Sequence, residues 1–185
     1  MSSMSPATSR PRKTVEDYLA LDDDVRAELI DGELYVTPSP ETDHQRVVLR
    51  LARCLADHVE THDLGEVFAA PLDVHLPTGD VVQPDVFFVA AARSDICRRW
   101  VHGAPDLVIE VLSPTHAERD RAVKRALYAR SGVPEYWIVD PEERSIEVLR
   151  LGDPDYEPAG WFRRGETLVT SCFPGLALAL DDLWP

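Results

Sequence analysis

At 185 residues, 44% hydrophobic and 28% charged, the chain has the size and balance of one globular domain with a sizeable core. Its formal net charge of −14 argues against non-specific nucleic-acid binding through bulk charge. It leaves room for a local site in which acids hold a metal that in turn holds phosphate. No apolar run approaches the roughly 18 residues of a membrane span. The cysteines, Cys54, Cys97 and Cys172, lie far apart. That spacing argues against a disulfide framework or a cysteine zinc site, and a reducing, cytoplasmic setting is expected.

The Ser/Pro-rich start reads as a disordered leader over residues 1–13, followed by a single domain over 14–185. Thr14 to Leu21 has the signature of a short helix, with Thr14 as N-cap and Asp17 three residues later. Glu28 to Val36 reads as a hairpin turning at Asp31-Gly32. From about Glu41 to Thr61, Val47, Val48, Leu51, Leu55 and Val59 recur at helical spacing with charged residues between them. Val67–Leu76 and Val81–Val89 are expected to be paired strands joined by Pro77-Thr-Gly-Asp80. Asp106 to Leu112 is an apolar strand, a charged helix runs from about His116 to Ser131, and Gly132-Val-Pro134 ends it. Tyr136–Val139 and Ser145–Leu151 are further strands, and the tail supplies short β segments and a helical turn near Asp181. The strand-helix-strand run from Asp106 to Val139 predicts a crossover unit in a mixed sheet.

Strand alternation isolates one residue. Glu110 and Leu112 share a face, whereas Ile109 and Val111 point the other way. A carboxylate inside an apolar strand is costly unless a cation or hydrogen bonds satisfy it. Asp85 follows Pro84 and opens the run to Val89. Two carboxylates on adjacent strands suit a hard divalent ion, and we expect them to lie on the order of 5 Å apart or less. The nearest positive group is Lys124 on the returning helix, where Asp120, Lys124 and Tyr128 form one stripe.

Gln83-Pro-Asp85, Glu110-Val-Leu-Ser-Pro114, then Asp120, Lys124, Tyr128 and Gly132-Val-Pro-Glu-Tyr-Trp-Ile-Val-Asp140 together resemble the Uma-type restriction-endonuclease family of the PD-(D/E)XK nuclease superfamily. The likeness extends from about Val15 to Trp184, with Glu28-Leu-Ile-Asp-Gly-Glu33 near the start and Phe173-Pro-Gly-Leu176 near the end. It implies an α/β fold with a restriction-endonuclease-like mixed β-sheet flanked by helices and an N-terminal β-hairpin. It also implies an Mg²⁺- or Mn²⁺-dependent endonuclease acting on DNA. Asp85 and Glu110 match metal ligands of the family, and Glu28 matches an acid with a possible metal or supporting role. The lysine of the (D/E)XK element would fall at Leu112, and Lys124 matches its migrated form. Lys124 would then point at the two acids and orient or deprotonate the attacking water, or stabilise charge in the transition state.

Each residue also has a plainer reading. Asp85 alone is an ordinary strand-entry residue. Lys124 alone is a solvated partner of Asp120. Glu28 suits a structural role, and Tyr128 suits packing with its hydroxyl near the site. His58 and His62 share a helix face, but Glu60 is misplaced for the zinc-protease motif, so an interaction with the helix C-terminus is expected. His44 opens the long helix and could face the site, although a cap or surface role is expected. Arg119, Arg121, Lys124, Arg125 and Arg130 form a basic helix face, usually solvated but the best candidate for meeting phosphates. A homodimer is expected because two related sites cut two strands. The alternatives are a non-catalytic binding or assembly module that keeps the fold, favoured by the charge and Leu112, and a carboxylate-pair glycoside hydrolase.

Overall fold

A computed structural model describes residues 11–22, 25–113 and 117–184, with backbone only for residues 117–120. The leader read into residues 1–13 therefore lies outside the described residues up to residue 10. Lys13 is already attached to the domain, since its N–H donates to the Gly32 carbonyl at 2.7 Å.

Helix α1, Val15–Leu19, starts with a capping box. The Asp17 N–H donates to Thr14 Oγ1 at 3.3 Å, and the Thr14 N–H donates to Asp17 Oδ2 at 3.0 Å. Strands β1 (Ala27–Ile30) and β2 (Glu33–Val36) form the expected hairpin. Its turn places both Asp31 (φ 53°) and Gly32 (φ 76°) in the left-handed region, which suits the Asp-Gly pair. Helix α2, Thr42–Thr61, buries all five apolar residues of its predicted stripe.

The two long strands expected over residues 67–89 are each broken in two. The first gives β3 (Gly65–Ala69) and β4 (Val74–His75), and the second gives β5 (Val81–Val82) and β6 (Val86–Ala90). β3 pairs with β6 and β4 with β5, so the pairing is as expected but the hairpin passes from one sheet into another. Prolines sit at both breaks, Pro71 and Pro84, where each lacks an N–H for the ladder. A 3₁₀ segment, Ala91–Ile96, and strand β7, Val101–His102, follow.

Next come β8 (Leu107–Val111), helix α3 (Ala117–Ser131) and β9 (Glu135–Asp140). β8 and β9 are parallel, which makes this the predicted crossover unit. Gly132 ends α3 with φ 80°. Strands β10 (Ser145–Leu151), β11 (Tyr156–Arg163), β12 (Thr167–Leu168) and β13 (Leu178–Ala179) precede a last 3₁₀ turn, Leu180–Asp182.

The main sheet has the order β11-β10-β9-β8-β6-β3, and a second sheet has the order β2-β1-β5-β4-β7. Alternation along β8 feeds two cores. Ile109 and Val111 pack with the α2 stripe, while Val108 and Leu112 pack with Leu127 and Tyr128 of α3. Glu110 therefore lies on the α3 face of the sheet, as alternation requires. The fold is α/β with a mixed central sheet, flanking helices and an N-terminal hairpin.

Candidate active site

Glu110 is 6% exposed in a strand whose five residues are all buried. Two groups from α3 satisfy it. The Tyr128 hydroxyl donates to Glu110 Oε1 at 2.6 Å, and the Lys124 ammonium donates to the same oxygen at 3.0 Å. Lys124 and Tyr128 are one helical turn apart, so both reach one point on the sheet. The side chain of Asp120, the third member of that stripe, lies outside the described residues. Lys124 is itself 8% exposed and donates at 3.1 Å to Glu28 Oε1. Glu28 comes from β1 of the hairpin, and its Oε1 also accepts the Gln83 N–H at 3.0 Å.

Asp85 sits where the second predicted strand breaks between β5 and β6. The β6–β8 register pairs Val86 with Ile109, and continuing it by one residue sets Asp85 opposite Glu110. Asp85 Oδ2 accepts the Val111 N–H at 2.8 Å and lies 3.2 Å from His44 Nε2. Glu28, Asp85, Glu110 and Lys124 all line one cleft of about 400 Å³, with His44 and Gln83 beside them.

The charges are unequal, with three carboxylates around one ammonium. Burial disfavours the charged forms of both Glu110 and Lys124. For Lys124, the charges of Glu110, Glu28 and Asp85 outweigh that penalty and hold its pKa well above the ordinary value. For Glu110, burial dominates, Lys124 opposes it, and Asp85 and Glu28 add to it; the carboxyl is pushed up to about 8. One acid of the three thus tends to keep a proton near neutrality. The His44 imidazole is penalised by burial, but Asp85 outweighs this and raises its pKa.

The donor set suits a hard, oxygen-seeking cation. Among the described residues, no three His, Cys, Asp or Glu side chains are already gathered at metal-ligating spacing. Mg²⁺ is commonly held by one or two carboxylates, with water and phosphate completing its shell, so Asp85 and Glu110 fit that ion. Glu110 spends Oε1 on Tyr128 and Lys124, and among the described residues no further group engages Oε2.

Residues 15–181 match the Uma2 family, described as "Putative restriction endonuclease". The chain belongs to this family. This Uma2 protein is 27% identical over 153 residues to the uncharacterized protein slr1290 of Synechocystis sp., and 80% of each chain is covered. In fold it is similar to a crystal structure of a putative nuclease belonging to DUF820 from Anabaena variabilis. The TM-score is 0.77 at 22% identity, covering 92% of this chain and 97% of that one.

The expected basic face of α3 takes another form in the Uma2 chain. Arg121 is held by Asp140 at 3.1 Å, Arg125 by Asp155 at 3.3 Å, and Arg130 by Asp31 at 2.9 Å. Lys124 points inward, and the Arg119 side chain lies outside the described residues. These cations stitch α3 to the hairpin and to the strands after it, instead of forming an open phosphate-binding row. His58 and His62 stay at the end of α2, with His62 Nδ1 2.8 Å from the His58 carbonyl, as the plainer reading has it. His44 takes the less favoured of its two expected places, facing the site beside Asp85 instead of capping the helix or meeting solvent. Its spacing from Val47, Val48 and Leu51 continues the buried stripe of α2 by one turn, and that was the available signal.

Proposed function

We propose that this protein is a metal-dependent endonuclease that hydrolyses DNA phosphodiester bonds. The observation that carries the reading is the convergence of Asp85, Glu110, Glu28 and Lys124 on one cleft, from four separate segments of the chain, with Lys124 bonded to both glutamates. Family membership supports the nuclease class.

Asp85 and Glu110 would hold Mg²⁺ or Mn²⁺, with Glu28 at their edge. When bound, the ion supplies charge to neutralise a phosphate and to acidify water. The chain's own groups do the rest. Tyr128 and Lys124 fix the Glu110 carboxylate through Oε1, which leaves Oε2 without a partner among the described residues. The Val111 N–H and His44 hold Asp85 by its Oδ2 oxygen. Lys124, charged and buried, stabilises negative charge developing beside Glu110. A homodimer with two such sites would cut both strands. The free state of Cys54, Cys97 and Cys172 is compatible with the reducing, cytoplasmic setting proposed for it.

A second reading has two observations in its favour. The α3 arginines are tied to acids and the net charge is −14, which suits a non-catalytic binding module whose partner is not nucleic acid. One experiment separates the two. Mn²⁺ binding is measured by calorimetry, and nicking of supercoiled plasmid is followed with Mn²⁺ or chelator. The nuclease reading expects both signals in the wild type, with Glu110→Gln and Asp85→Asn losing both. A wild type that binds no divalent ion and leaves the plasmid intact overturns it.

A further inference from the structure

The cleft contains a second strong cation that the site described above does not use. Arg26, one residue before β1, lines the cleft together with Glu28, two positions on. Its backbone is fixed, because the Thr37 N–H donates to the Arg26 carbonyl at 2.9 Å. Its side chain is half-buried, and Nε is hidden from solvent without a hydrogen-bond partner. No acid among the described residues forms an ion pair with it. The other cationic groups of the cleft are engaged: Lys124 by Glu28 and Glu110, and His44 by Asp85. An arginine that lines a cleft with Glu28, Glu41, Asp85 and Glu110, yet has no ion-pairing acid among the described residues, asks for a ligand.

Guanidinium recognises phosphate with two parallel N–H donors, and the edge that includes Nε–H is one such fork. Carboxylates repel phosphate, so a strand entering this cleft needs a donor outside the acid cluster. We propose that Arg26 is a substrate-binding residue that grips a backbone phosphate of a DNA strand lying along the Asp85–Glu110 cleft, an inference that rests on the nuclease reading above. The side chain turns about its terminal torsions to present the fork, which no ion pair among the described residues prevents. Arg26 takes the role that the sequence suggested for the α3 arginines.

The test is a fluorescence-anisotropy titration of labelled duplex DNA in Ca²⁺ over a series of salt concentrations. Arg26→Gln is expected to weaken binding about tenfold or more, the loss of one charge-assisted contact. It should also flatten the slope of log affinity against log salt by about 0.9, the signature of one lost phosphate contact. Arg26→Lys keeps the charge and should restore the slope with intermediate affinity. Calorimetry is expected to show Ca²⁺ binding retained in Arg26→Gln and lost in Glu110→Gln. Wild-type slope in Arg26→Gln overturns the assignment, at any affinity, and leaves the metal site standing. If the wild type binds no DNA in Ca²⁺, the nuclease reading itself falls and the role of Arg26 falls with it.

Discussion

Lys124→Met tests the electrostatic balance of the site most directly. The ammonium contacts Glu110 Oε1 at 3.0 Å and Glu28 Oε1 at 3.1 Å, with its side chain 11% exposed. Each contact is worth about 5 kcal/mol gross at an effective dielectric of 20. Desolvation offsets much of that, and breaking a buried pair by removing one partner costs about 3–5 kcal/mol. Glu110 can escape part of the penalty by keeping its proton, since its carboxyl is already pushed up to about 8. The loss at pH 7 is therefore expected near the lower figure, about 3 kcal/mol. For a chain of this length that lowers Tm by about 6–12 °C. Urea unfolding of wild type and variant at pH 7 and pH 5 supplies the check. The gap should narrow at pH 5, where Glu110 is more fully protonated and presents less charge for the ammonium to balance. Ca²⁺ should stabilise the variant more than the wild type, because the ion replaces the missing cation. A loss below about 1 kcal/mol at pH 7, the size expected of an exposed pair, would refute a buried, charge-balancing Lys124.

Tyr128→Phe removes one of two donors to Glu110 Oε1 and should cost about 1–3 kcal/mol in urea unfolding, with metal binding retained. Glu110→Gln should lose Mn²⁺ binding in calorimetry while keeping the fold by circular dichroism, since its amide oxygen still accepts from Tyr128 and Lys124. His75 stacks on His102 with ring centroids 4.8 Å apart, and burial, with the charge of His102, lowers its pKa below the ordinary 6.5. A histidine depressed in the fold binds fewer protons than in the unfolded chain, so stability falls as pH drops below about 6.5. His75→Phe should flatten that limb of the stability–pH profile, and an unchanged limb would assign it to other groups.

Local chemistry made most of the fold legible. Thr14, Asp31-Gly32 and the α2 stripe each announce their element because the deciding interactions lie within a few residues. The break at Gln83-Pro84-Asp85 was harder to read. Apolar residues continue on both sides of it, and beyond the local mark of Pro84 it is the transfer of β4 and β5 to the second sheet, a long-range event, that separates them. The site was legible by residue type at Glu110, which violates its apolar strand. Lys124 stood out less, because an inward and an outward lysine look alike until the rotation of α3 is known. Arg26 and His44 gave weaker signals still. An arginine before a strand is ordinary, and the lack of an ion-pairing acid is a property of three-dimensional neighbours.

The net charge of −14, which argued against a nucleic-acid enzyme, takes on a different meaning once the pairs are placed. Bulk charge matters through the potential it creates at the approach to the site, and that potential decays within about 10 Å at moderate salt. The α3 arginines cancel acids on the hairpin and the later strands, so those acids act as local structural partners. What remains in the cleft is four carboxylates, Glu28, Glu41, Asp85 and Glu110, with Lys124 and His44 engaged by acids and Arg26 without an ion-pairing acid among the described residues. Such a site would repel a bare phosphate and, on the proposed reading, take up a divalent ion. With an ion in place the local sign would reverse, and Arg26 would then add to an attractive field instead of merely reducing a repulsive one. DNA affinity should therefore depend far more on a divalent ion than on monovalent salt. Binding titrations in Ca²⁺ and in chelator, each at two salt concentrations, read this directly. Equal affinities with and without Ca²⁺ would mean that phosphate is not drawn to the acids through a metal, and the binding-module reading would replace the nuclease.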